Sequence, residues 1–231
     1  NNEFISADYS QIELRVLAHF SEDPNLINAF IKGEDIHNFT AATVYECDLD
    51  KVNNEMRRIA KILNFGVLYG LSPFGISRQT NLSFEEGKKF TKLYYQRFPK
   101  INDYKENIKE KIHSKGYVET LFGRKRYIDE IKSNNARIRD HGERMAINMP
   151  IQGTAAEIIK IAMINLNNSN EYNNIKAKML LQIHDELIFE CDKNKSKHLS
   201  NTLSKIMPNV VKLNVPLTIN IQKGQNLGEM S

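Results

Sequence analysis

The 231-residue sequence predicts an α+β fold, in which distant segments form a small antiparallel sheet and a helical region is inserted between them. Apolar runs of strand length lie near both ends of the chain and on either side of Asp185. The predicted strands cover residues 4–7, 178–183, 187–191 and 216–222. Helical periodicity and helix start signals dominate the middle of the chain, so we expect the helices to form a subdomain of their own.

The predicted helices follow from apolar periodicity and from residues that cap or interrupt helices. Ser83 and Glu86 have the spacing of a capping box, which predicts a helix that ends before Pro99. The helices are predicted over residues 11–20, 36–45, 54–68, 83–98, 100–115, 136–166 and 195–207. Inside the helix over residues 136–166, Pro150 and Gly153 predict a break or kink.

Turn-forming residues separate these elements. Residues 21–25 form a polar break, and residues 167–170 are an Asn-rich surface loop. Phe122-Gly123, within an alternating segment, predicts one hairpin. Residues 184–186, between two apolar runs, predict a second hairpin.

The composition is ordinary for a soluble globular protein, with 41% hydrophobic and 26% charged residues. No run reaches the roughly 18 apolar residues that a membrane-spanning helix needs. The net charge of +4 permits binding to nucleic acid without arguing for it. Cys47 and Cys191 are isolated, so we expect reduced core residues and no disulfide. Because the chain begins on a strand pattern and without methionine, we interpret it as an excerpt of a longer polypeptide.

Four side chains in the helix over residues 54–68 and at its end follow one another at four-residue steps: Arg57, Lys61, Phe65 and Tyr69. On an α-helix they form one stripe about 18 Å long. Two cations could meet phosphates, while the ring and the phenol could meet a sugar and a base, so the stripe could hold a nucleoside triphosphate. The alternative is an ordinary amphipathic surface helix, which has the same pattern.

Two aspartates are candidates for a metal site. Asp8 lies where the first strand ends, and Asp185 lies at the tip of the second hairpin. Carboxylates beside such apolar runs are costly to bury unless a cation is paired with them, and two of them on neighbouring strands would bind Mg²⁺ or Mn²⁺. The alternative is that both are turn residues without a role. The metal site therefore depends on the two strands being adjacent.

The motifs that contain these residues resemble those of the family A DNA polymerases, the bacterial DNA polymerase I type. Residues 8–15, Asp-Tyr-Ser-Gln-Ile-Glu-Leu-Arg, resemble motif A. Residues 57–70 resemble motif B, the fingers helix, and residues 182–186 resemble motif C. Residues 143–156 are similar to the template-side segment of the family. The resemblance covers essentially the whole chain, with the motifs in the family's order.

The resemblance implies part of a right-hand polymerase. Residues 1–20 and 141–231 would belong to the palm, and residues 21–140 mainly to the fingers, with the motif B helix over residues 54–69. The implied partners are primer–template DNA, dNTPs and the remainder of the polymerase chain, including the thumb and a 3′–5′ exonuclease domain if one is present. No membrane partner is implied. Without the thumb, this chain alone would bind DNA weakly and have weak activity or none.

The resemblance also implies residue roles. Two Mg²⁺ ions, for which Mn²⁺ could substitute, would be bound by Asp8, Asp185 and the backbone carbonyl of Tyr9. The implied catalytic residues are Asp8, Asp185, Lys61 and, in a lesser role, Glu186. The implied dNTP-binding residues are Arg57, Lys61, Phe65, Tyr69, His37, Gln11 and Glu13. The implied DNA-binding residues are Arg144, Asn148, Gln152 and His184.

Two positions bear on substrate choice. Glu13 matches the family's steric gate, which leaves no room for a 2′-hydroxyl and favours deoxynucleotides. Phe65 matches the form of the family that discriminates against dideoxynucleotides. Near the end of the chain, Leu227 replaces the Trp of the family's Gly-x-Asn-Trp ending, and we expect no effect on the chemistry.

Two other functions are alternatives. A catalytically silent DNA-binding module would lack divalent-metal binding, and a single-subunit RNA polymerase would incorporate rNTPs. The many Asn, Lys and Ile residues have AT-rich codons and are compatible with an AT-rich genome such as that of a malaria parasite, whose plastid replicative polymerase belongs to this family. A plastid is therefore one candidate compartment.

Overall fold

The computed structural model describes residues 2–230 and contains a four-stranded antiparallel sheet and a separate two-stranded hairpin. The strands are β1 (Asn2–Tyr9), β2 (Tyr117–Glu119), β3 (Lys125–Tyr127), β4 (Lys178–Ile183), β5 (Glu186–Asp192) and β6 (Ile219–Gly224). The larger sheet has the order β4-β5-β1-β6. The first strand of the chain therefore lies between strands from its far end, as predicted for a sheet assembled from distant segments.

The helices occupy most of the chain between β1 and β4. They are α1 (Ile12–Ser21), α2 (Pro24–Ile31), α3 (Ile36–Val44), α4 (Asn54–Leu68), α5 (Pro73–Gln79), α6 (Phe84–Arg97), α7 (Pro99–Lys115), α8 (Ala136–Asn167), α9 (Asn170–Ile175) and α10 (Ser196–Ile206). Short 3₁₀ helices lie at Leu49–Lys51, Asp129–Lys132, Lys193–Lys195, Met207–Asn209 and Leu227–Met230.

The chain divides into two compact units. The residues up to Glu13 together with those from Ala155 onward form the sheet unit, and Leu14–Thr154 form the helical unit. The division falls within α1 and within α8. The assignment of palm and fingers to particular residue ranges stays a prediction.

The sheet unit has its core between the sheet and α10. Ile5 and Phe189 come from adjacent strands and pair in register, and Leu199 and Leu203 come from α10; all four side chains are fully buried. The hydroxyl of Tyr9, at the end of β1, donates a hydrogen bond of 2.7 Å to the carbonyl of Met207. The burial of these apolar side chains fixes the register of β1, because a slip by one residue would turn its buried side chains outward.

Two of the apolar clusters formed by the described residues lie in the helical unit. One lies under the β2–β3 hairpin and includes Ile112, Val118 and Ala146. The other lies between α3, α4, α5 and α6 and includes Ile59 and Leu63. The predicted capping box is present at the start of α6, where the Ser83 and Glu86 side chains bond to each other's backbone N–H. The second cluster holds α4 by one face, and Lys61 and Tyr69 lie exposed on the helix and at its end.

Three helices were not predicted, and of the break or kink predicted in α8, the break is absent while the kink stays a prediction. α2, α5 and α9 are helices of six to eight residues; α2 begins at Pro24 after the N-cap Asp23, inside the predicted polar break. α8 continues through Pro150 and Gly153 without interruption. Met149 and Ile151 on either side of the proline are buried, and this packing compensates for the hydrogen bond that proline cannot donate. β6 begins at Ile219 and not at residue 216.

Two further expectations concern cysteine and membranes. Both cysteines are free thiols; Cys191 is buried as predicted, whereas Cys47 is only partly buried. Within residues 2–230, no helix is long and apolar enough to cross a membrane.

Candidate active site

Three carboxylates lie together at one end of the sheet unit. β1 and β5 are antiparallel neighbours, and their register pairs Asp8 with Glu186. The backbone N–H of Tyr9 donates to the carbonyl of Asp185 over 3.2 Å. The adjacency on which the predicted metal site depends is therefore present, and it brings Asp8 and Asp185 to the same edge.

The β4–β5 hairpin positions Asp185 at this edge. Ile183 pairs with Glu186 across a two-residue loop of His184 and Asp185. His184 has a φ of 53°, in the left-handed region that non-glycine residues rarely adopt. Its side chain is exposed, whereas Asp185 and Glu186 are half-buried. The short loop thus turns the chain so that two successive acidic residues lie beside β1.

Repulsion and burial both act on Asp8. Its pKa is raised to about 6, chiefly by burial and further by the charges of Asp185 and Glu186. The hydroxyl of Ser6 donates a hydrogen bond to Glu186, which holds one of the three carboxylates. A divalent cation would relieve this repulsion, and the donors are all oxygen, which is the set that Mg²⁺ and Mn²⁺ prefer.

A cavity of about 330 Å³ opens beside these carboxylates. Its lining includes Ser6, Asp8, Asp185, Asn220 and Gln222. In the described part of the chain, no group of three or more His, Cys, Asp or Glu side chains is already set to hold a metal ion. Sequence reasoning missed Ser6, Asn220 and Gln222, which join the site only through strand pairing.

The predicted stripe lies on α4 in the helical unit. α4 has the predicted bounds, with Asn53 as N-cap and Gly70, at a φ of 69°, just after its end. Lys61 is exposed, and Tyr69 is 37% exposed. The rings of Phe65 and Tyr69 lie nearly parallel, with centroids 6.3 Å apart. The stripe is accessible along its length, although an ordinary amphipathic helix would have the same exposure.

Arg57, the first residue of the stripe, is held by Asp35. Its Nε and Nη2 atoms each lie 2.9 Å from Oδ2 of Asp35. Asp35 is also the N-cap of α3 and accepts from the backbone N–H groups of His37 and Asn38. Burial raises the pKa of Asp35, but the hydrogen bonds from Arg57 and from the backbone outweigh it and leave this pKa lowered. Arg57 is therefore oriented by Asp35, to which sequence reasoning assigned no role.

His37 lies buried beside the stripe, with 3% of its surface exposed. Its Nδ1 atom lies 2.9 Å from Nδ2 of Asn64, and its ring centroid lies 5.9 Å from that of Phe65. The pKa of His37 is lowered to about 4, chiefly by burial, with Arg57 and Lys61 adding to the effect and Asp35 opposing it. The ring is therefore neutral at neutral pH. Sequence reasoning missed Asn64 as its partner.

Three of the four residues predicted to bind DNA lie on α8. Arg144 and Gln152 are exposed, and Asn148 is half-buried. The side-chain carbonyl oxygen of Asn148 is inaccessible to solvent and has no hydrogen-bond partner among residues 2–230. The Arg144 side chain lies against Gly70, where an added Cβ would be 3.0 Å from its Cγ. The fourth residue, His184, lies on the β4–β5 hairpin of the sheet unit.

The remaining predicted contacts lie in the first turn after β1. Gln11 has a φ of 54° and is half-buried, and Glu13 is half-buried in the first turn of α1. The structure thus places Asp8, Tyr9, Gln11, Glu13, His184, Asp185 and Glu186 in the sheet unit. It places His37, Arg57, Lys61, Phe65, Tyr69, Arg144, Asn148 and Gln152 in the helical unit.

The fold and the motifs assign the chain to one class of protein. The chain belongs to the family described as DNA polymerase family A, whose model matches residues 1–229. This finding confirms the resemblance that the motifs predicted.

Curated relatives give the same result. The chain is 46% identical over 222 residues to DNA polymerase I of Caldicellulosiruptor bescii, which covers 96% of this chain and 26% of the relative. It is 46% identical to DNA polymerase I of Bacillus caldotenax, covering 95% of this chain and 25% of the relative. It is 43% identical to the thermostable DNA polymerase I of Thermus aquaticus, with 96% and 26% covered. The chain therefore spans about a quarter of the length of these relatives. They give no support to a plastid origin.

A solved structure has the same fold. It is described as the POL domain of Pol1 from M. smegmatis in complex with DNA primer-template and dNTP. It has a TM-score of 0.94 and 39% sequence identity, and the match covers 99% of this chain and 40% of that chain. The predicted α+β fold of a polymerase domain is confirmed.

Proposed function

We propose that this chain is the palm and fingers part of a template-directed DNA polymerase. The reaction joins the primer 3′-hydroxyl to the α-phosphate of an incoming dNTP and releases pyrophosphate. The observation that carries the proposal is the gathering of Asp8, Asp185 and Glu186 at one edge by the pairing of β1 with β5. The names of the relatives, and a similar structure described as a complex with primer-template and dNTP, support it.

Asp8, Asp185 and the backbone carbonyl of Tyr9 would hold two Mg²⁺ ions, or Mn²⁺ in their place. When bound, such ions supply activation of the attacking hydroxyl and neutralisation of the leaving pyrophosphate. Asp8 and Asp185 contribute the negative charge that attracts the ions. Glu186 has a lesser role, because Ser6 already holds its side chain.

The stripe on α4 would bind the nucleotide. Arg57 and Lys61 bind the phosphates, and Lys61 also donates a proton to the departing pyrophosphate. Arg57 uses Nε and Nη2 for Asp35, so its other N–H donors serve the nucleotide. His37 adds a phosphate contact. Phe65 lies against the sugar and base, and Tyr69 lies next to the position of the new base pair.

The start of α1 would select the sugar. Glu13 excludes a 2′-hydroxyl, and Gln11 in the preceding turn contributes a further nucleotide contact. This assignment favours a DNA polymerase over a single-subunit RNA polymerase, in which a small residue replaces Glu13.

The DNA contacts would come from α8 and the β4–β5 hairpin. Arg144, Asn148 and Gln152 follow one another at four-residue steps and therefore share one face of α8. His184 contributes from the hairpin. In this proposal the palm comprises residues 1–20 and 141–231, and the fingers mainly residues 21–140. The thumb that grips the duplex is outside this chain, so the chain alone has weak activity or none.

Primer extension tests the proposal. The polymerase that carries this chain is assayed with Mg²⁺, dNTPs and a primed template, as wild type, as Asp185→Ala and as Asp50→Ala. Asp50 is an exposed aspartate in the 3₁₀ helix Leu49–Lys51 and serves as the matched control. We expect extension by the wild type and the control, and none by Asp185→Ala. A wild type that binds DNA without extending it would favour the silent binding module, and efficient use of rNTPs would favour the RNA polymerase.

A further inference from the structure

A chain of buried polar side chains joins α3 to α4 beside the nucleotide stripe. The hydroxyl of Thr40 donates to Oδ1 of Asn64 over 3.0 Å, and Nδ2 of Asn64 lies 2.9 Å from Nδ1 of His37. Thr40 and Asn64 are each 1% exposed, and His37 is 3% exposed. Because buried polar atoms need partners, few arrangements of the protons in this chain are tolerated.

The hydroxyl of Thr40 orients the amide of Asn64. A side-chain amide has an acceptor end and a donor end. Among residues 2–230, Oδ1 of Asn64 is the hydrogen-bond partner of the Thr40 hydroxyl. If the amide were turned around, the hydroxyl proton would lose this acceptor inside a buried site, which is unfavourable. The donor end of Asn64 therefore faces His37.

The orientation of the amide decides which nitrogen of His37 carries the proton. A neutral imidazole has one donor nitrogen and one acceptor nitrogen. Since Asn64 presents N–H to Nδ1, the Nδ1 atom must accept and the proton must be on Nε2. Among the described residues, the hydrogen bond of the His37 ring is the one at Nδ1, and Nε2 is not among the solvent-inaccessible atoms that lack a partner. Nε2 therefore keeps some contact with solvent, from which a ligand can reach it.

We propose that Asn64 is a positioning residue that holds His37 as the Nε2–H tautomer, so that this N–H donates to the phosphates of an incoming nucleotide. The nucleotide contact rests on the proposed function, whereas the tautomer does not. The opposite tautomer would turn a lone pair toward the phosphate oxygens and repel them.

The charged surroundings of His37 are consistent with a neutral donor. Arg57 and Lys61 add to the effect of burial and lower the pKa of the ring, while Asp35 opposes them. Two cations already serve the phosphates in the proposed site, and His37 adds a directed N–H rather than a third charge. A neutral ring exists as one of two tautomers, so the amide of Asn64 has a chemical consequence that a simple packing residue would not have.

Nitrogen-15 NMR of the polymerase that carries this chain, labelled at histidine and held at pH 7.5, tests the tautomer directly. The His37→Gln variant identifies the His37 resonances by their loss. We expect a protonated Nε2 and an unprotonated Nδ1 in the wild type. Asn64→Asp offers only acceptors and should move the proton to Nδ1, whereas Thr40→Val removes the orienting donor and should give a mixture of tautomers. A wild type with the proton on Nδ1, or with both tautomers populated, would overturn the proposal.

Kinetics of single-nucleotide incorporation test the positioning role. We expect Asn64→Asp to raise the KM for dNTP by about tenfold, as for the loss of one hydrogen bond to a charged group. Thr40→Val leaves part of the molecules in the competent tautomer and should raise this KM by only about twofold. In both variants kcat should change much less than it would if the fold of the site were lost. In a His37→Gln background the same substitutions should have no further effect. An increase in KM that persists in this background would mean that Asn64 acts on the fold and not through His37. A wild type inactive in primer extension would contradict the proposed function alone, because the NMR measurement does not depend on activity.

Discussion

Two residues of the candidate site, Asp8 and His37, have pKa values that are shifted in opposite directions, in both cases chiefly by burial and further by nearby like charges. Asp8 is made harder to ionise by burial and by neighbouring carboxylates, and a cation would reverse this effect. His37 is made harder to protonate by burial and by neighbouring cations. The proposed metal-binding edge therefore has an excess of negative charge, and the proposed phosphate-binding helix has an excess of positive charge.

The buried His37 predicts a loss of stability in acid. Its folded pKa of about 4 lies below the ordinary value of 6.5, so the unfolded chain takes up the proton first as the pH falls. The contribution of the neutral His37 ring to the free energy of unfolding is fully present above about pH 6.5 and is lost progressively as the pH falls to about 4. Between pH 7 and pH 5 we expect the wild type to lose about 2 kcal/mol more of its free energy of unfolding than His37→Gln. Urea unfolding followed by circular dichroism measures this difference, and parallel pH profiles of the two proteins would contradict it.

Phe65 carries a prediction about substrate. We expect Phe65→Tyr to relax the discrimination against dideoxynucleotides, because the added hydroxyl supplies a hydrogen bond near the sugar that does not need the 3′-hydroxyl. The ratio of dideoxy to deoxy incorporation should rise by roughly tenfold to a hundredfold, the value of one hydrogen bond to a charged group. Competitive incorporation assays measure it. Tyr69→Phe, one turn further along the stripe, is the matched control and should leave the ratio unchanged. If Phe65→Tyr also left the ratio at the wild-type value, Phe65 would not lie at the sugar.

At the scale of elements, α8 and the β2–β3 hairpin pack closely at one glycine. A Cβ added at Gly153 would lie 2.6 Å from Cγ2 of Thr120. The Thr120 side chain is buried and accepts from the backbone N–H of Arg124, so it cannot turn away without losing that bond. The hydroxyl of Thr154 accepts from Leu121 in the same hairpin. Gly153 and Thr154 therefore have a packing role.

Gly153→Ala should destabilise the protein despite better helix propensity. The propensity gain is about 1 kcal/mol, whereas overpacking of a tight contact costs typically 1–3 kcal/mol. We expect a net loss of about 1 kcal/mol in the free energy of unfolding, measured by urea denaturation. Gln152→Ala, at the exposed neighbouring position, should change it by less than about 0.5 kcal/mol. A Gly153→Ala protein as stable as the wild type would mean that the hairpin moves away freely.

The sequence predicts elements with strong local signals and misses those whose signals are short. The four-residue stripe and the following Gly70 mark α4 accurately, and Ser83 marks α6. α2 was missed although Asp23-Pro24 is a helix start signal, because the helix has only eight residues and lies in a polar stretch. The continuity of α8 through Pro150 depends on tertiary packing that no local pattern contains.

The types of residue in the candidate site were predictable from the sequence, but the contacts between them were not. Asp8 and Asp185 stand out as carboxylates beside apolar strands, yet their meeting depends on strand pairing between the two ends of the chain. Asp35 and Asn64 acquire their roles from contacts between α3 and α4, and each has an ordinary explanation in the sequence as a cap or a helix residue. Long-range contacts therefore account for what the sequence could not reveal.

For the whole molecule, the two units differ in how the chain builds them. The helical unit is one continuous segment with apolar clusters of its own, whereas the sheet unit combines the first residues with the last part of the chain. β5 pairs with one edge of β1, and β6 pairs with the other edge. Without β1, β6 has no neighbour and β4–β5 is an isolated hairpin, which is marginally stable in water.

Fragments of the chain should behave accordingly. We expect residues 14–154 alone to retain helical circular dichroism and a cooperative thermal transition. Residues 155–231 alone should lack strand structure and regain it when a peptide of residues 1–13 is added. Circular dichroism of each fragment, with a scrambled peptide as control, measures this. A cooperative transition of residues 155–231 without the peptide would contradict the assigned role of β1.

The central position of β1 also determines how late in translation the sheet can form. Ser6 emerges from the ribosome 180 residues before its partner Glu186, which is a delay of roughly 10 to 40 seconds at usual translation rates. During that interval all residues of the helical unit are synthesised, whereas neither strand that pairs with β1 is yet present. The acidic cluster, and with it any capacity to bind divalent ions there, comes into existence only after nearly the whole chain has been translated.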